Sequence, residues 1–445
     1  KGEKLYVEFV VSRNDVAFRY RLPKEGETGS VRVMDELTEF NFPEGDDVVS
    51  YLTPQSDAMI GWKRTKPSYE EYYGVAKPLS EKSQYGHGYT FPCLFKNEDK
   101  GWILISETGV SSAYCASRLL GHEGGLYTIG FPQEGENNGN GSAFAGIPLP
   151  GYTAWRTITL GSTLAPIMET TVPFDVVEPL YEASKDYVYG AGSWSWIIGM
   201  DGSTVYDVQK QYIDFTAEMG YQTVLIDALW DTQIGRDKIA DLAAYAKSKG
   251  VAIFLWYNSN GYWNNAPQSP KGIMDNTIAR RREMAWMKSI GIRGIKVDFF
   301  GGDKQETIKL YEDIMADAND YGILCVFHGC TLPRGWERMY PNYASSEAVL
   351  ASENLNFNQG ACDNEAFNAT IHPFIRNTVG SMDFGGSALN KYYNSRNAPR
   401  GSQRRTSDVF ALATAVMFQS PVQHFALAPN NLTDAPAWAI DFMKK

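Results

Sequence analysis

The chain has five cysteines in 445 residues, at positions 93, 115, 325, 330 and 362, and no Cys-x-x-Cys spacing. An odd count without that spacing gives neither a disulfide framework nor a zinc site. No apolar run reaches the roughly 18 residues that a membrane-spanning helix needs. No Gly-rich phosphate fingerprint follows a strand-like run, which removes a nucleotide-binding reading. Gly-x-Ser-x-Gly and His-Glu-x-x-His are both missing, so neither a hydrolase elbow nor a zincin is indicated. A basic excess is missing too. The net charge is −11, which argues against nucleic acid or an anionic membrane as partner. No signal peptide is visible. The chain opens directly in strand-like Leu5-Tyr-Val-Glu-Phe-Val-Val11 and closes on Phe442-Met-Lys-Lys445, so it reads as a fragment with both termini missing.

What is present is aromatic. The chain carries 26 Tyr, 22 Phe and 11 Trp. Most aromatics are core, but an excess also suits sugar binding, because rings stack on pyranose C–H faces. Residues 1–185 read as an all-β, sandwich-like domain. Short alternating runs such as Val16–Leu22, Trp102–Ser106 and Ala154–Leu160 are separated by Gly, Pro, Asn and Asp clusters. Residues 186–445 change rhythm, and strand-like runs there alternate with helical ones. Ile239, Leu242, Ala243 and Ala246 form an i, i+3, i+4, i+7 stripe. Repeated βα units imply a parallel sheet, and about eight of them fit a (β/α)8 barrel. Strands are expected at Ser193–Ile198, Thr223–Ala228, Val251–Tyr257, Gly294–Phe300, Leu324–His328, Glu347–Ser352 and Val422–Leu427.

In such barrels, chemistry sits where strands end. The ends here offer Trp194, Trp196, Asp227, Trp256 and Asn258, then Lys296, Asp298, His328, Glu347 and Glu353, and later Arg376, Asp383 and His424. Lys296 and Asp298 share one face of a strand, where unused charge is costly. Two carboxylates flanking a bond are what glycoside cleavage needs. Each residue also has an ordinary reading. Asp227 fits a helix cap, His328 a core histidine, Glu347 and Glu353 solvated loop charges, and Glu107 an exposed strand terminus.

Longer motifs carry a resemblance. Gly294-Ile-Lys-Val-Asp-Phe299, Phe327-His-Gly-Cys-Thr-Leu-Pro-Arg-Gly-Trp-Glu-Arg338, Ser346-Glu-Ala-Val-Leu-Ala-Ser-Glu353, Leu255-Trp-Tyr-Asn-Ser-Asn-Gly261 and Phe374-Ile-Arg-Asn-Thr-Val-Gly-Ser-Met-Asp383 resemble glycoside hydrolase family 97. The resemblance implies an N-terminal β-sandwich, a catalytic barrel and a calcium-assisted, exo-acting enzyme on α-glycosides. It implies a periplasmic or secreted location and an oligosaccharide or small α-glycoside substrate, and a monomer is expected. Asp298 matches the nucleophile of the retaining members, and Glu353 the general acid/base. Glu347 and Glu353 match two calcium ligands, and Glu107 is assigned as a third from the sandwich. Trp194, Asp227, Asn258, Lys296, His328 and Arg376 are assigned to substrate. Inverting members place a Glu base near Gly329, where this chain has no carboxylate. Retention requires carboxyl groups about 5–5.5 Å apart, against about 6.5–9.5 Å for inversion. An α-galactoside is the expected substrate, with a β-L-arabinopyranoside or an α-glucoside as alternatives. Ser193-Trp-Ser-Trp196 departs from the family's Trp-Asp-Trp-Trp pattern at the sugar-binding end. A non-catalytic glycan-binding protein is the rival of another class.

Overall fold

The computed structural model describes residues 4–42, 47–59, 65–98, 100–260, 264–394 and 401–444. Gly261 and Lys445, which closed two of the quoted stretches, lie outside the described residues.

The N-terminal part is antiparallel throughout. Among the described residues its main sheet has eleven strands. The central ones are Asp15–Leu22, Trp155–Gly161, Gly101–Thr108 and Tyr89–Asn97, hydrogen-bonded in that order. A second sheet pairs Ser30–Val33 with Ala145–Pro148. Period-2 alternation turns one face of these strands inward, where Ala17, Phe95, Ile105, Leu119 and Tyr127 are buried. The β-sandwich expectation holds.

From Gly190 the sheet becomes parallel. Among the described residues, seven strands run Gly190–Trp194, Thr223–Ile226, Ala252–Asn258, Gly294–Asp298, Leu324–Phe327 and Tyr343–Ser346, with Val422–Phe425 beside the first. The eighth place is filled irregularly. Met382 makes an isolated parallel bridge to Ser346, and Gly386 accepts a 2.9 Å bond from the Ala426 N–H. The stretch between them closes the ring without a regular strand. Helices cover the outside. The stripe Ile239, Leu242, Ala243 and Ala246 faces inward, as its spacing required.

Two strand expectations shift. The first strand stops at Trp194, and Trp196–Gly199 is already helical. The sixth strand is Tyr343–Ser346, not Glu347–Ser352. The run Tyr-Ala-Ser-Ser lacks β-branched residues, so its pattern points elsewhere. It is buried nonetheless because its hydroxyls find partners. Tyr343 donates to Ser346 Oγ at 2.9 Å, and Ser345 Oγ accepts from Ser420 at 2.9 Å.

The strand that presents Lys296 and Asp298 is entered from a well-terminated helix. Asn276 caps Thr277–Ile290 by accepting from the Ala279 N–H, and Gly291 closes it at φ 81°. The chain then enters Gly294–Asp298 with every residue buried. No helix among the described residues is long and apolar enough to cross a membrane.

The two parts meet through polar contacts. Arg334, from the barrel, donates to Glu107 Oε1 at 2.6 Å and to Tyr69 Oη at 2.7 Å. Tyr69 donates to Asp303 at 3.0 Å, and Tyr73 bonds His372 Nδ1 at 2.9 Å.

Candidate active site

A cavity of about 400 Å³ opens at the C-terminal ends of the barrel strands. Asp298, Glu353, Lys296, Asp227, Trp256 and Gly329 line its floor and walls. Trp196, Asp201, Gln268 and Phe357 line it as well, and Thr65, Lys66, Ser68 and Glu70 come in from the N-terminal part.

Lys296 is the hub. Its Nζ lies 3.1 Å from Asp227 Oδ2, 3.8 Å from Glu353 Oε2 and 3.9 Å from Asp298 Oδ2. It also sits 4.0 Å above the Trp194 ring. One buried ammonium therefore touches three carboxylates. Asp227 is held by the Trp194 indole N–H at 2.8 Å and by the Ala228 N–H at 2.8 Å. It is buried at the cavity wall and does not cap a helix.

Asp298 ends its strand with both oxygens engaged. Oδ1 accepts from the Phe299 N–H at 2.8 Å, and Oδ2 from the Trp256 indole at 3.1 Å. Phe299 pays with a φ of 68°, unusual for a bulky residue. Gly329 packs on this turn, also at positive φ (47°). A Cβ there would lie 2.7 Å from Asp298 Oδ1 and 2.8 Å from Phe299 N. Any side chain at 329 competes with Asp298 for space. Gly329→Ala is expected to lower kcat by about a hundredfold or more through displacement of Asp298. Circular dichroism should show the fold retained, and unchanged turnover would contradict this packing.

Glu353 sits in the short turn Ser352–Asn356. His328 is fully buried, with Nε2 2.7 Å from Asp383 Oδ2. Its Nδ1 lies 3.4 Å from Glu347 Oε2 and 3.6 Å from Glu353 Oε2. His328 is thus packed among three carboxylates, unlike an ordinary core histidine.

Burial penalises every charge here. It lifts Asp298 to about 6 while Lys296 and His328 pull the other way. At Glu353 burial also pushes upward, but Lys296 and His328 outweigh it and hold the carboxyl down at about 2. His328 loses to burial and to Lys296, yet Asp383 and Glu353 together raise it to about 9. Glu347 is lifted well above the carboxylate range, first by burial and then by Glu353 and Glu70.

Several sequence assignments move. Asn258 lies outside the cavity lining and is fully buried in an amide network, exchanging bonds with Asn264 at 2.9 and 3.3 Å. It pins the loop that follows its strand. Arg376 donates to four backbone carbonyls, of Ser346, Glu347, Gly380 and Ser381, at 2.8–3.1 Å. Its role is to hold the backbone that presents Glu347. Trp194 and His328 stand behind the lining residues.

Glu107 is the clearest correction. It is buried, and among the described residues it is not part of the cluster of ligand atoms that Glu347 and Glu353 form with His328. Ser117 N–H and Oγ, Arg156 and Arg334 engage its two oxygens. Two guanidiniums neutralise it and leave no place for a metal. The carboxylate that does reach the site from the N-terminal part is Glu70. It lines the cavity, and its charge acts on both Glu353 and Glu347. Nothing local marks Glu70 in the sequence, because it lies in a loop without strand pattern. The loop is placed from afar: Tyr69, buried and at φ 63°, is clamped between Arg334 and Asp303.

His328, Glu347 and Glu353 offer ligand atoms within 4.8 Å of one another. Glu347 Oε1 is buried without a hydrogen-bond partner among the described residues. An unpaired carboxyl oxygen on Glu347 beside the carboxylate of Glu353 suits a hard cation such as calcium, which takes oxygen ligands.

Two family descriptions match the chain. The N-terminal domain of glycosyl hydrolase 97 matches residues 1–179, and glycoside hydrolase 97 matches residues 189–349. The chain belongs to glycoside hydrolase family 97. A solved β-arabinopyranosidase is 62% identical, with a TM-score of 0.97 over 100% of this chain and 70% of its own. A probable retaining α-galactosidase of Streptomyces bingchenggensis is 27% identical over 96% of this chain and 60% of its own. A retaining α-galactosidase of Bacteroides thetaiotaomicron is 26% identical over 66% of this chain and 45% of its own. The chain therefore spans less than two thirds of these curated relatives.

Proposed function

We propose that the chain is the catalytic part of an exo-acting glycosidase that cleaves galacto-configured pyranosides with retention. The observation that carries this reading is the shared ammonium. Lys296 contacts both Asp298 and Glu353, and both line one cavity. Asp298 attacks the anomeric carbon and forms a covalent glycosyl–enzyme. Glu353 protonates the departing oxygen, then takes a proton from water as the intermediate is hydrolysed.

The free site holds Glu353 ionised, the wrong state for an acid. A substrate oxygen entering between Lys296 and Glu353 weakens the contact that keeps it so. His328, protonated at neutral pH, lies 3.6 Å away as the source of the proton. Gly329 favours retention over inversion, because a base at that position would collide with Asp298.

Calcium is part of the proposal. Glu70, Glu347 and Glu353 are the residues that would hold it, and it would supply positive charge beside the scissile oxygen. Chelation with EDTA is expected to cost most of the activity, and calcium to restore it. Because burial and its carboxylate neighbours lift Glu347 well above the carboxylate range, and calcium needs that carboxyl ionised, calcium uptake should release a proton. Calorimetry in buffers of different ionisation enthalpy reads that release. Neither activity loss nor proton release would remove the metal.

An α-galactoside and a β-L-arabinopyranoside share ring stereochemistry and differ in the C6 hydroxymethyl. The 62% identity to a β-arabinopyranosidase favours the second, and the curated relatives the first. Aryl α-galactoside, β-L-arabinopyranoside and α-glucoside, assayed side by side, separate them. NMR of the first-formed anomer tests retention. Binding without turnover of all three would support a glycan-binding protein instead.

A further inference from the structure

An aromatic ladder climbs from the charged floor of the cavity to its mouth. Lys296 lies 4.0 Å over the Trp194 ring, and Trp194 stacks on Trp196 with centroids 6.1 Å apart at 20°. Trp196 meets the edge of Phe357 at 6.1 Å and 67°. Exposure rises along the ladder, from 1% at Trp194 through 9% at Trp196 to 52% at Phe357. A large ring exposed at the rim of a polar cavity costs free energy unless something covers it.

A polar group faces the same space. Trp196 donates to Asp201 Oδ1 at 2.7 Å, and Gln268 donates to Asp201 Oδ2 at 3.4 Å. The remaining amide oxygen of Gln268 is buried and has no hydrogen-bond partner among the described residues. Asp201, Gln268, Trp196 and Phe357 all line the cavity, yet none takes part in the chemistry assigned above. Phe357 follows directly on the turn Ser352–Asn356, which carries Glu353. In an exo-acting enzyme the glycone takes the closed floor beside Lys296 and Asp298, so the leaving group points to the mouth, where exposed Phe357 stands four residues after Glu353.

We propose that Phe357 and Trp196, with the Asp201–Gln268 pair, form a binding site for the leaving group, built for a second sugar ring. Its C–H face lies on Phe357, and one of its hydroxyls donates to the Gln268 amide oxygen. The inference rests on Glu353 serving the leaving oxygen.

The test compares two substrates that share a glycone. One is a disaccharide and the other the glycosyl fluoride, which has no second ring. Phe357→Ala and Gln268→Leu should each lower kcat/KM for the disaccharide by about tenfold and leave the fluoride within about twofold. Loss of both substrates in parallel, or of neither, overturns the proposal. Phe357 is half exposed, so its truncation does not threaten the fold. Wild-type inactivity on disaccharide and fluoride alike would instead be a failure of the proposed function. Calorimetry on the unmodified chain then decides the second-ring site. Tighter binding of the disaccharide than of its non-reducing monosaccharide supports it, and equal affinity overturns it.

Discussion

Asp298→Ala is expected to lower kcat by about 10⁴-fold or more, with the fold intact. The side chain accepts two bonds, from the Phe299 N–H and the Trp256 indole, and its removal turns both donors toward the open cavity, where solvent can reach them. Asp227 and Glu353 still neutralise the ammonium at 3.1 and 3.8 Å. The vacated space adjoins the anomeric face of the sugar. Added azide should enter it and restore part of the turnover, giving a glycosyl azide of inverted configuration. Azide rescue separates a missing nucleophile from a damaged site, since a distorted pocket would not be rescued. The wild-type pH profile belongs to the same prediction. Burial raises Asp298 to about 6, and only the ionised form attacks. Its contribution is therefore present above about pH 6 and lost as pH falls through that value, with kcat/KM dropping about tenfold per unit. Full activity of Asp298→Ala would end the assignment.

The sequence carried the barrel because βα units repeat their signals. Stripes such as Ile239, Leu242, Ala243 and Ala246 name both a helix and its buried face. The strand end at Lys296 and Asp298 was legible because charge in an apolar run has to be used. Asp227, Glu347 and Glu353 were legible as carboxylates at strand ends, and the structure gathers them. What could not be read was anything set by contact across the fold. Tyr343–Ser346 has no strand signal of its own, and its burial depends on hydroxyl pairing, within the strand between Tyr343 and Ser346 and across the fold from Ser420 to Ser345. Arg376 looked like a sugar-binding cation, because a sequence does not show that four carbonyls already surround it. Glu107 and Glu70 make the point most sharply. Glu107 stands in a clear strand motif but faces two arginines. Glu70 stands in a featureless loop and is delivered to the site by the residue before it.

That delivery gives the second large effect. Arg334→Met is expected to destabilise the protein by about 3–5 kcal/mol, the usual cost of removing one partner from a buried ionic network. Arg334 is fully buried and spends its guanidinium on Glu107, Tyr69, Thr331 and the Leu332 carbonyl. Without it, Glu107 keeps Arg156 and Ser117 but loses its second cation, and Asp303 loses a cation at 3.9 Å. The methionine fills the volume without replacing either charge. For a chain of this size, a fall in Tm of roughly 3–5 °C follows. A cycle with Glu107→Leu isolates the pair. The double variant should cost less than the two single changes added together, because the second substitution removes a carboxylate the first had left short of positive charge. Stability unchanged to within about 1 kcal/mol would show that the network does not hold the two parts together. A second readout distinguishes a general loss from a specific one. Tyr69 is held by Arg334 and immediately precedes Glu70, so the variant should need more calcium for half-maximal activity even below its melting range. If calcium binds as proposed, Glu107, whose oxygens are engaged by Arg156, Arg334 and Ser117, would act on its affinity only through Arg334, Tyr69 and Glu70 in turn.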